Sequence, residues 1–226
     1  SWHVEESPWK AAQVLRMLAR HQLHPRTIGE VGCGVGEVLK QLQEQMEDTC
    51  QFWGYDISPQ AIELAQSRAN DRLRFKLADL GKERSASFDL VLMLDVVEHV
   101  ENPFDFLRAL TPVGDYFLMH FPLDLSVQTI LRRNGLLSVR EAFGHLHYYS
   151  KELALQTLKE TGYEVLDHFY TPRIDLPTHL PKRRLMRLPR KLLYALNPDV
   201  AVRVLGGWGL LALCAAPHRP ATSQAR

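Results

Sequence analysis

Short apolar runs alternate with longer amphipathic segments from Thr27 onward, and this alternation limits the folds open to the chain more than any other feature. The apolar runs predict strands at 27–31, 52–55, 73–77, 88–94, 115–121 and 163–170, with a last strand within 204–217. The amphipathic segments predict helices at 36–46, 59–69, 103–110 and 151–161. Such a succession favours an α/β fold, with a largely parallel sheet between helices and ligands beyond the carboxyl ends of its strands.

The chain length of 226 residues fits one domain, which we expect to span residues 1–217. Ser7 and Pro8 predict an N-terminal helix within 1–24, with Ser7 as the N-cap, and this helix could cover a ligand as a lid. Ser58 and Ser150 are expected to cap two later helices. Segments 122–147 and 171–203 interrupt the alternation, and residues 218–226 are expected to form a flexible tail.

The composition indicates which classes of partner and which cellular compartment to expect. A formal net charge of +1 gives the whole molecule no field that would attract a polyanion, so no nucleic-acid partner is expected. Three widely spaced cysteines without a Cys-x-x-Cys pair favour a reducing, cytoplasmic compartment over a disulfide framework or a zinc site. The apolar stretch 204–217 is shorter than the roughly 20 residues that span a bilayer, and residues 1–10 lack the pattern of a signal peptide.

A glycine-rich turn follows the first predicted strand and opens the next helix. Its sequence is Glu30-Val31-Gly32-Cys33-Gly34-Val35-Gly36. The glycines permit a tight turn and let a ligand approach bare backbone. A dinucleotide-binding turn would read Gly-x-Gly-x-x-Gly, with the third glycine one position later. The spacing therefore disfavours a nicotinamide-dependent oxidoreductase, which stays open as an alternative.

With this turn the chain resembles the class I S-adenosylmethionine-dependent methyltransferases, especially the small-molecule branch that includes enzymes of ubiquinone biosynthesis. The resemblance covers residues 28–170 and implies a Rossmann-like, mostly parallel seven-stranded sheet, with S-adenosylmethionine as cofactor and S-adenosylhomocysteine as product. It places the turn formed by Gly32, Cys33, Gly34 and Gly36 under the methionine part of the cofactor. It also assigns Glu30 to orienting the turn and the cofactor's amino group.

Two further strand ends carry carboxylates with expected roles in the cofactor site. Asp56 ends the second strand, where a carboxylate can accept hydrogen bonds from both ribose hydroxyls. Since Ser58 is expected to cap the next helix, the carboxylate of Asp56 is not needed as a cap. The resemblance gives Asp56 the same role and assigns Asp79 to the adenine amino group. The adjacent Ile57 and Leu80 are expected to belong to the cofactor site as well.

The fourth strand runs into Leu94-Asp95-Val96-Val97-Glu98-His99, which closely resembles the signature that follows this strand in the family. In relatives the backbone at Leu94 and Asp95 receives the methionine amino group, and the following residues face the substrate. Enzymes that methylate nucleobase amines or glutamine amides carry an Asn/Asp-Pro-Pro-aromatic motif here, which this chain lacks. Hydroxyl, phenol, carboxyl, amine and carbon acceptors stay open, and we expect methylation of a small-molecule, lipid-linked or glycan-linked acceptor, first of all on oxygen.

Methyl transfer to a hydroxyl requires one well-placed base. The candidates are His99, after the fourth strand, and His145 and His147, in the segment where the family places part of its acceptor wall; a structural role for His99 stays open. His120 can also reach the pocket, although a buried, hydrogen-bonded histidine is the more ordinary interpretation. No third ligand at suitable spacing accompanies His145 and His147, so no metal site is predicted.

The second interruption, 171–203, carries eight Lys or Arg residues against two acidic ones, and the resemblance places it with 122–147 in the acceptor wall. Its mixture of basic and apolar residues is typical of membrane-surface helices and of lids over anionic ligands, so residues 180–196 are expected to contact a membrane peripherally or an anionic acceptor. A solvated helical excursion is the alternative. A non-catalytic relative that serves as a scaffold also stays open.

Overall fold

A computed structural model describes residues 4–83, 85–173 and 187–217 of the chain. The predicted flexible tail, 218–226, and the first part of the predicted membrane-contacting segment, 180–186, lie outside these described residues. The strands are β1 (Thr27–Val31), β2 (Gln51–Asp56), β3 (Leu73–Leu77), β4 (Phe88–Leu94), β5 (Gly114–Pro122), β6 (Glu164–Pro172) and β7 (Trp208–Ala215). No described helix is long and apolar enough to cross a membrane.

The described α-helices occupy most of the segments between the strands. They are α1 (Ser7–His21), α2 (Glu37–Gln43), α3 (Pro59–Gln66), α4 (Pro103–Leu110), α5 (Val127–Leu131), α6 (Gly135–Phe143), α7 (Lys151–Glu160), α8 (Arg187–Leu196) and α9 (Pro198–Leu205). The two interruptions of the alternation therefore contain α5 and α6 in the first and α8 and α9 in the second. As predicted, the hydroxyls of Ser58 and Ser150 cap α3 and α7, each accepting a backbone N–H at 3.3 Å.

The seven strands form one sheet in the order β3-β2-β1-β4-β5-β7-β6. The first five strands pair in parallel, and β7 runs antiparallel between β5 and β6. This arrangement confirms the predicted mostly parallel α/β fold. The strand order reverses at β1, which lies between β2 and β4, and the crevice beyond the carboxyl ends of β1 and β4 is where such sheets bind ligands.

The sheet is buried on both faces, as its apolar strands predict. Alternate residues of β4 point to opposite sides: Val91 and Met93 join one core cluster, whereas Leu90 and Leu92 join the other. Helix α1 packs on the second face, where Val14 and its neighbours are fully buried. The core therefore fixes both the strand ends and the helix that covers them.

Two helix starts differ from their predicted positions. Ser7 is the first residue of α1 and Glu6 is its N-cap, without a side-chain hydrogen bond, so Ser7 does not cap this helix. Helix α2 begins at Glu37 because Gly36 has a φ of +77°, which a right-handed helix does not accommodate. It ends at Gln43, earlier than the predicted 46.

Candidate active site

A cavity of about 260 Å³ opens beyond the carboxyl ends of β1 and β4. The glycine turn after β1 forms one wall, and residues after β4, together with parts of α1 and the segment after α6, complete it. The cavity is lined by Glu6, Ser7, Lys10, Glu30, Gly32, Cys33, Gly34, Val35, Glu37, Val38, Leu94, Asp95, His99, Phe143, His145 and Arg173. The structure thus brings together most of the predicted positions from β1 and β4.

The glycine turn is bare where it faces the cavity. Gly32, Gly34 and Gly36 all have left-handed φ values, which non-glycine residues adopt only with strain. A Cβ atom at Gly34 would have no heavy atom within 4 Å, whereas one at Gly36 would collide with the ring of Phe75. Gly36 is therefore required for packing, while Gly34 leaves open space that a ligand could fill.

The carboxylate of Asp56 holds this turn in place. Its Oδ2 accepts the N–H of Gly34 at 2.9 Å, and its Oδ1 accepts the N–H of Ser58 at 2.8 Å. The side chain lies at the end of β2, beside the cavity and outside its lining. Each carboxylate oxygen can accept more than one hydrogen bond, so the arrangement is compatible with the predicted ribose contact, which stays a prediction.

Glu30 lies at the bottom of the cavity and is almost completely buried. Its Oε2 has no hydrogen-bond partner among the described residues. Burial raises the pKa of this carboxyl to about 8, and the nearby carboxylate of Asp56 adds to the effect, which Lys10 opposes. An unpaired, buried carboxylate at this place fits a ligand that brings a positive group, such as the ammonium of a methionine moiety.

The remaining positions predicted to belong to the cofactor site, among them Asp79 for the adenine, lie along the neighbouring strand ends. The side chain of Ile57 is 77% exposed at the end of β2, an apolar surface that a flat base could cover. Asp79 caps the turn after β3 through the N–H of Gly81 at 3.0 Å and pairs with Lys82 at 3.1 Å. Leu80 is fully buried in the core, so its side chain supports this edge from below. None of these residues lines the cavity.

Asp95 lies at the centre of a network of charged side chains whose contacts no sequence motif predicts. Its backbone has a φ of +60°, and its carboxylate contacts Nζ of Lys10 at 2.8 Å and Nδ1 of His120 at 2.5 Å. Nε2 of His120 is 2.7 Å from the hydroxyl of Thr171. Burial favours the protonated carboxyl, but His120 and Lys10 outweigh it and hold the pKa of Asp95 well below its ordinary value.

This network ties α1, β4, β5 and β6 together beside the cavity. His120 is buried and fully engaged, in agreement with the more ordinary interpretation of that residue. Lys10 and Arg173, by contrast, line the cavity although no motif marked them. The amphipathic pattern of α1 alone gives no sign that Lys10 lies on the face turned toward the strand ends.

Another part of the cavity wall contains two of the three predicted bases. The rings of His99 and His145 lie 5.0 Å apart between centroids, and both side chains line the cavity. Nδ1 of His99 is 3.3 Å from the carbonyl of Gly144. Burial lowers the pKa of His99, and the adjacent His145 lowers it further. His147 is turned away, with Nε2 near the carbonyl of Glu101 at 3.3 Å, and does not line the cavity.

Glu98 lies directly behind this wall and is completely buried. Neither of its carboxylate oxygens has a hydrogen-bond partner among the described residues. Burial raises the pKa of this carboxyl well above its ordinary value, and the charge of Asp95 adds to the effect. In the sequence Glu98 belongs to the signature that follows the fourth strand, and only the fold shows that its carboxyl is buried.

Comparison with known proteins identifies the class of domain that carries this cavity. Residues 30–113 match the family described as "Methyltransferase domain". The chain contains a methyltransferase domain. The matched region of this methyltransferase domain includes the glycine turn, Asp56, Asp79 and the segment from Leu94 to His99. The predicted methyltransferase family is thereby confirmed for residues 30–113.

Curated relatives of the methyltransferase domain include both O- and N-methyltransferases. The mitochondrial ubiquinone biosynthesis O-methyltransferase of Schizosaccharomyces pombe is 34% identical over 92 residues, which are 38% of this chain and 32% of the relative. The ajmaline N-methyltransferase of Rauvolfia serpentina is 28% identical over 114 residues, 45% of this chain and 38% of the relative. The chain thus spans about a third of the length of these relatives.

Solved structures share the fold over most of the chain. Magnesium protoporphyrin IX methyltransferase from Synechocystis, solved with bound S-adenosylhomocysteine, has a TM-score of 0.61 at 16% identity and covers 92% of this chain and 82% of its own. The N-methyltransferase NodS from Bradyrhizobium japonicum has a TM-score of 0.60 at 15% identity, with coverage of 92% and 86%. These similarities confirm the fold expected for the methyltransferase domain.

Proposed function

We propose that the chain transfers a methyl group from S-adenosylmethionine to a hydroxyl of a small-molecule, lipid-linked or glycan-linked acceptor. The observation that carries the proposal is the pairing of a bare glycine turn with the unpartnered carboxylate oxygen of Glu30 in one cavity. Open backbone at Gly34 suits close approach of the donor, and Glu30 suits its ammonium group. The donor, when bound, supplies a methyl group that is already activated on a sulfonium.

The residues of the chain then have to align the acceptor and accept its proton. His99 and His145 line the same cavity as the glycine turn, so an acceptor bound in the cavity beside the donor would meet both histidines. The lowered pKa of His99 keeps its imidazole neutral near pH 7, the state that a base requires. These two histidines therefore form the proposed acceptor side of the site, whereas the position of His147 argues against it as the base.

Calorimetric titration of the purified chain with S-adenosylmethionine, S-adenosylhomocysteine and NADH tests the proposal. We expect the first two ligands to bind and NADH to give no heat. Binding of none of the three would overturn the proposal and favour the scaffold alternative. Binding of NADH alone would favour the oxidoreductase alternative.

Replacing Asp56 with alanine is expected to weaken binding of S-adenosylmethionine about tenfold to a hundredfold. The change removes the anchor of the Gly34 N–H and the proposed acceptor of the ribose hydroxyls, and charged hydrogen bonds contribute about 1.5–3 kcal/mol each. Asp105→Ala, at an exposed carboxylate on α4, is the matched control and should bind as the unchanged chain does. Equal affinities for the two variants would refute the role of Asp56.

We further propose that α8 and the adjoining α5 contact an anionic membrane surface, from which a lipid-linked acceptor could enter. Leu188, Leu192 and Leu196 recur at intervals of four along α8 and are all exposed. Helix α5 lies beside α8, where Nη2 of Arg190 donates a hydrogen bond to Oε1 of Gln128 on α5 at 3.0 Å. Leu131 on α5 is exposed as well. Apolar side chains among basic ones are the pattern of interfacial helices.

Sedimentation with lipid vesicles tests this contact. The chain is expected to sediment with vesicles containing phosphatidylglycerol and to stay in solution with phosphatidylcholine alone, because the attraction requires anionic headgroups. A variant with Leu188, Leu192 and Leu196 changed to serine should lose most of the binding. The control changes Leu64 and Leu153, two exposed leucines on α3 and α7, to serine. Equal binding by both variants would contradict the proposed surface.

A further inference from the structure

Three potential metal ligands from two separate parts of the chain meet at the cavity wall that contains His99 and His145. Glu98 and His99 lie in the short turn after β4, and His145 follows α6. One ligand atom from each of the three lies within 4.8 Å of the other two. Oε1 of Glu98 is 3.9 Å from Nε2 of His99. The spacing of His145 and His147 predicts no metal site, whereas the structure places His145 with Glu98 and His99.

The carboxylate of Glu98 is the first sign that this cluster receives a ligand. It is completely buried, and neither oxygen has a hydrogen-bond partner among the described residues. Burying an ionised carboxylate without a partner costs several kcal/mol, so a carboxyl in this position is either protonated or paired with a cation. The nearby cations have other partners: Lys10 pairs with Asp95 at 2.8 Å, and Arg173 pairs with Glu6 at 3.4 Å.

The hydrogen bonds of the two histidines orient their rings for coordination. Nδ1 of His145 donates to Oδ2 of Asp124 at 2.7 Å, and Nδ1 of His99 faces the carbonyl of Gly144 at 3.3 Å. A proton fixed on Nδ1 leaves the lone pair on Nε2. Histidines that bind metals characteristically donate their other ring nitrogen to a carboxylate or a carbonyl in this way.

The backbone also fixes the two segments to each other. The carbonyl of Glu98 accepts the N–H of Leu146 at 2.8 Å and that of His147 at 3.1 Å. The turn after β4 and the segment after α6 are therefore joined next to the three side chains. Such support lets a site keep its ligands near one another before an ion arrives.

We propose that Glu98, His99 and His145 bind one divalent first-row transition-metal ion, such as Zn²⁺ or Mn²⁺. Two imidazole nitrogens and one carboxylate favour such ions over Mg²⁺ and Ca²⁺, which prefer oxygen ligands. Ligands held about 2.1 Å from an ion stand at most about 4.2 Å apart. The ligand atoms of the cluster lie within 4.8 Å of one another, so binding an ion requires them to approach by up to about 0.6 Å.

The position of the ion gives it a role in the proposed methyl transfer, and this part of the inference rests on the proposed function. His99 and His145 line the same cavity as Glu30 and Gly34, so the open coordination positions face the acceptor. A hydroxyl bound to the ion loses its proton to solvent water more readily. Its oxygen then forms the bond to the methyl carbon while the electron pair of the carbon–sulfur bond returns to sulfur. With the ion bound, His99 and His145 act as its ligands, and solvent water takes the proton in place of His99.

Calorimetric titration of the chelator-treated chain with ZnCl₂, and titration with MnCl₂ followed by electron paramagnetic resonance, test the metal site. We expect one ion per chain at micromolar concentration and no comparable binding of Mg²⁺. Glu98→Gln and His145→Gln should each weaken binding at least tenfold. His147→Gln is the matched control, because His147 lies next to His145 in sequence and outside the cluster. Failure to bind either ion, or an equal loss in His147→Gln, would overturn the inference.

Thermal unfolding supplies a readout that does not depend on methyl transfer. Zn²⁺ should raise the Tm of the unchanged chain, because a ligand of the folded state stabilises it, and should leave the Tm of Glu98→Gln unchanged. An equal rise in both would contradict the site. Binding of S-adenosylmethionine without any metal binding would refute this inference alone, whereas metal binding without S-adenosylmethionine binding would refute the proposed function and leave the metal site standing.

Discussion

Gly34→Leu is expected to abolish measurable binding of S-adenosylmethionine while the chain still folds. Gly34 lines the cavity, and a Cβ atom built on it meets no heavy atom of the chain within 4 Å. A leucine side chain can therefore enter the cavity without displacing the core, and there it takes the space that the donor needs. Calorimetric titration with S-adenosylmethionine measures the loss, and circular dichroism checks the fold.

Gly34→Ala separates the effect of strain from the effect of bulk. Both substitutions place a non-glycine residue at a φ of +53°, which costs about 1–2 kcal/mol of stability. The melting temperatures of the two variants should therefore fall by similar amounts, while only the leucine variant fills the cavity. If Gly34→Leu bound the donor as tightly as Gly34→Ala does, the cavity would not be the donor site.

Gly36, in the same turn, is required for packing, in contrast to Gly34, which faces open space. A Cβ at Gly36 would collide with the ring of Phe75, which is part of the second core cluster. Its φ of +77° adds strain of the same kind. The two glycines are indistinguishable in the sequence motif, and only the surroundings show that one keeps the turn packed and the other keeps it open.

The sequence predicts the parallel part of the fold well because local signals suffice there. Each strand from β1 to β5 is a short apolar run, and helices α3 and α7 start at serines that cap them. The order of the strands and the antiparallel insertion of β7 between β5 and β6 depend on long-range packing, which no local pattern encodes. The start of α1 was misplaced because Ser7 has the side chain of a good cap but lies inside the helix.

On the donor side of the site, too, local sequence signals predict some residues, whereas long-range packing brings in others. Glu30, the glycine turn and Asp56 are adjacent to strand ends, so a motif at the end of each strand is enough to bring them together. Lys10 and Arg173 come from α1 and from the residue after β6, and their approach to Asp95 depends on how those elements cross the sheet. The three groups meet only in the folded chain.

The acceptor side shows why spacing in the sequence is a poor guide to a metal site. His145 and His147 are two residues apart, but their side chains go to different partners, Asp124 and the carbonyl of Glu101. Glu98 belongs to the signature after the fourth strand, but what marks it as a potential ligand is burial without a hydrogen-bond partner among the described residues. Burial and the identity of hydrogen-bond partners are properties of the fold.

Binding of S-adenosylmethionine is expected to strengthen nearly tenfold between pH 6 and pH 7 and to release about one proton per donor bound at pH 6.5. Burial raises the pKa of Glu30 to about 8, so the carboxyl is protonated in the free chain at these pH values. An ammonium group pairs with the carboxylate, and the proton must therefore leave on binding. Affinity then rises with pH by up to tenfold per unit below that pKa.

Calorimetry in two buffers of different ionisation enthalpy measures the released proton. Glu30→Gln imitates the protonated side chain, so the variant should fold normally, bind the donor about tenfold more weakly at pH 7 and lose the steep pH dependence. Glu37→Gln is the matched control, because Glu37 also lines the cavity but pairs with Arg68 at 2.8 Å and has a lowered pKa. It should keep the proton release of the unchanged chain.

The contribution of Glu30 to the free energy of unfolding should fall as pH rises, whereas the affinity for the donor should increase. A carboxyl whose pKa is raised in the folded chain stabilises it most below the ordinary value near 4.5, and this contribution is lost as pH rises toward 8. Lys10, Asp56 and the cavity histidines also face this region, so Glu30→Gln is needed to isolate the effect. If Glu30→Gln kept both the proton release and the pH dependence of the unchanged chain, another group would receive the ammonium of the donor.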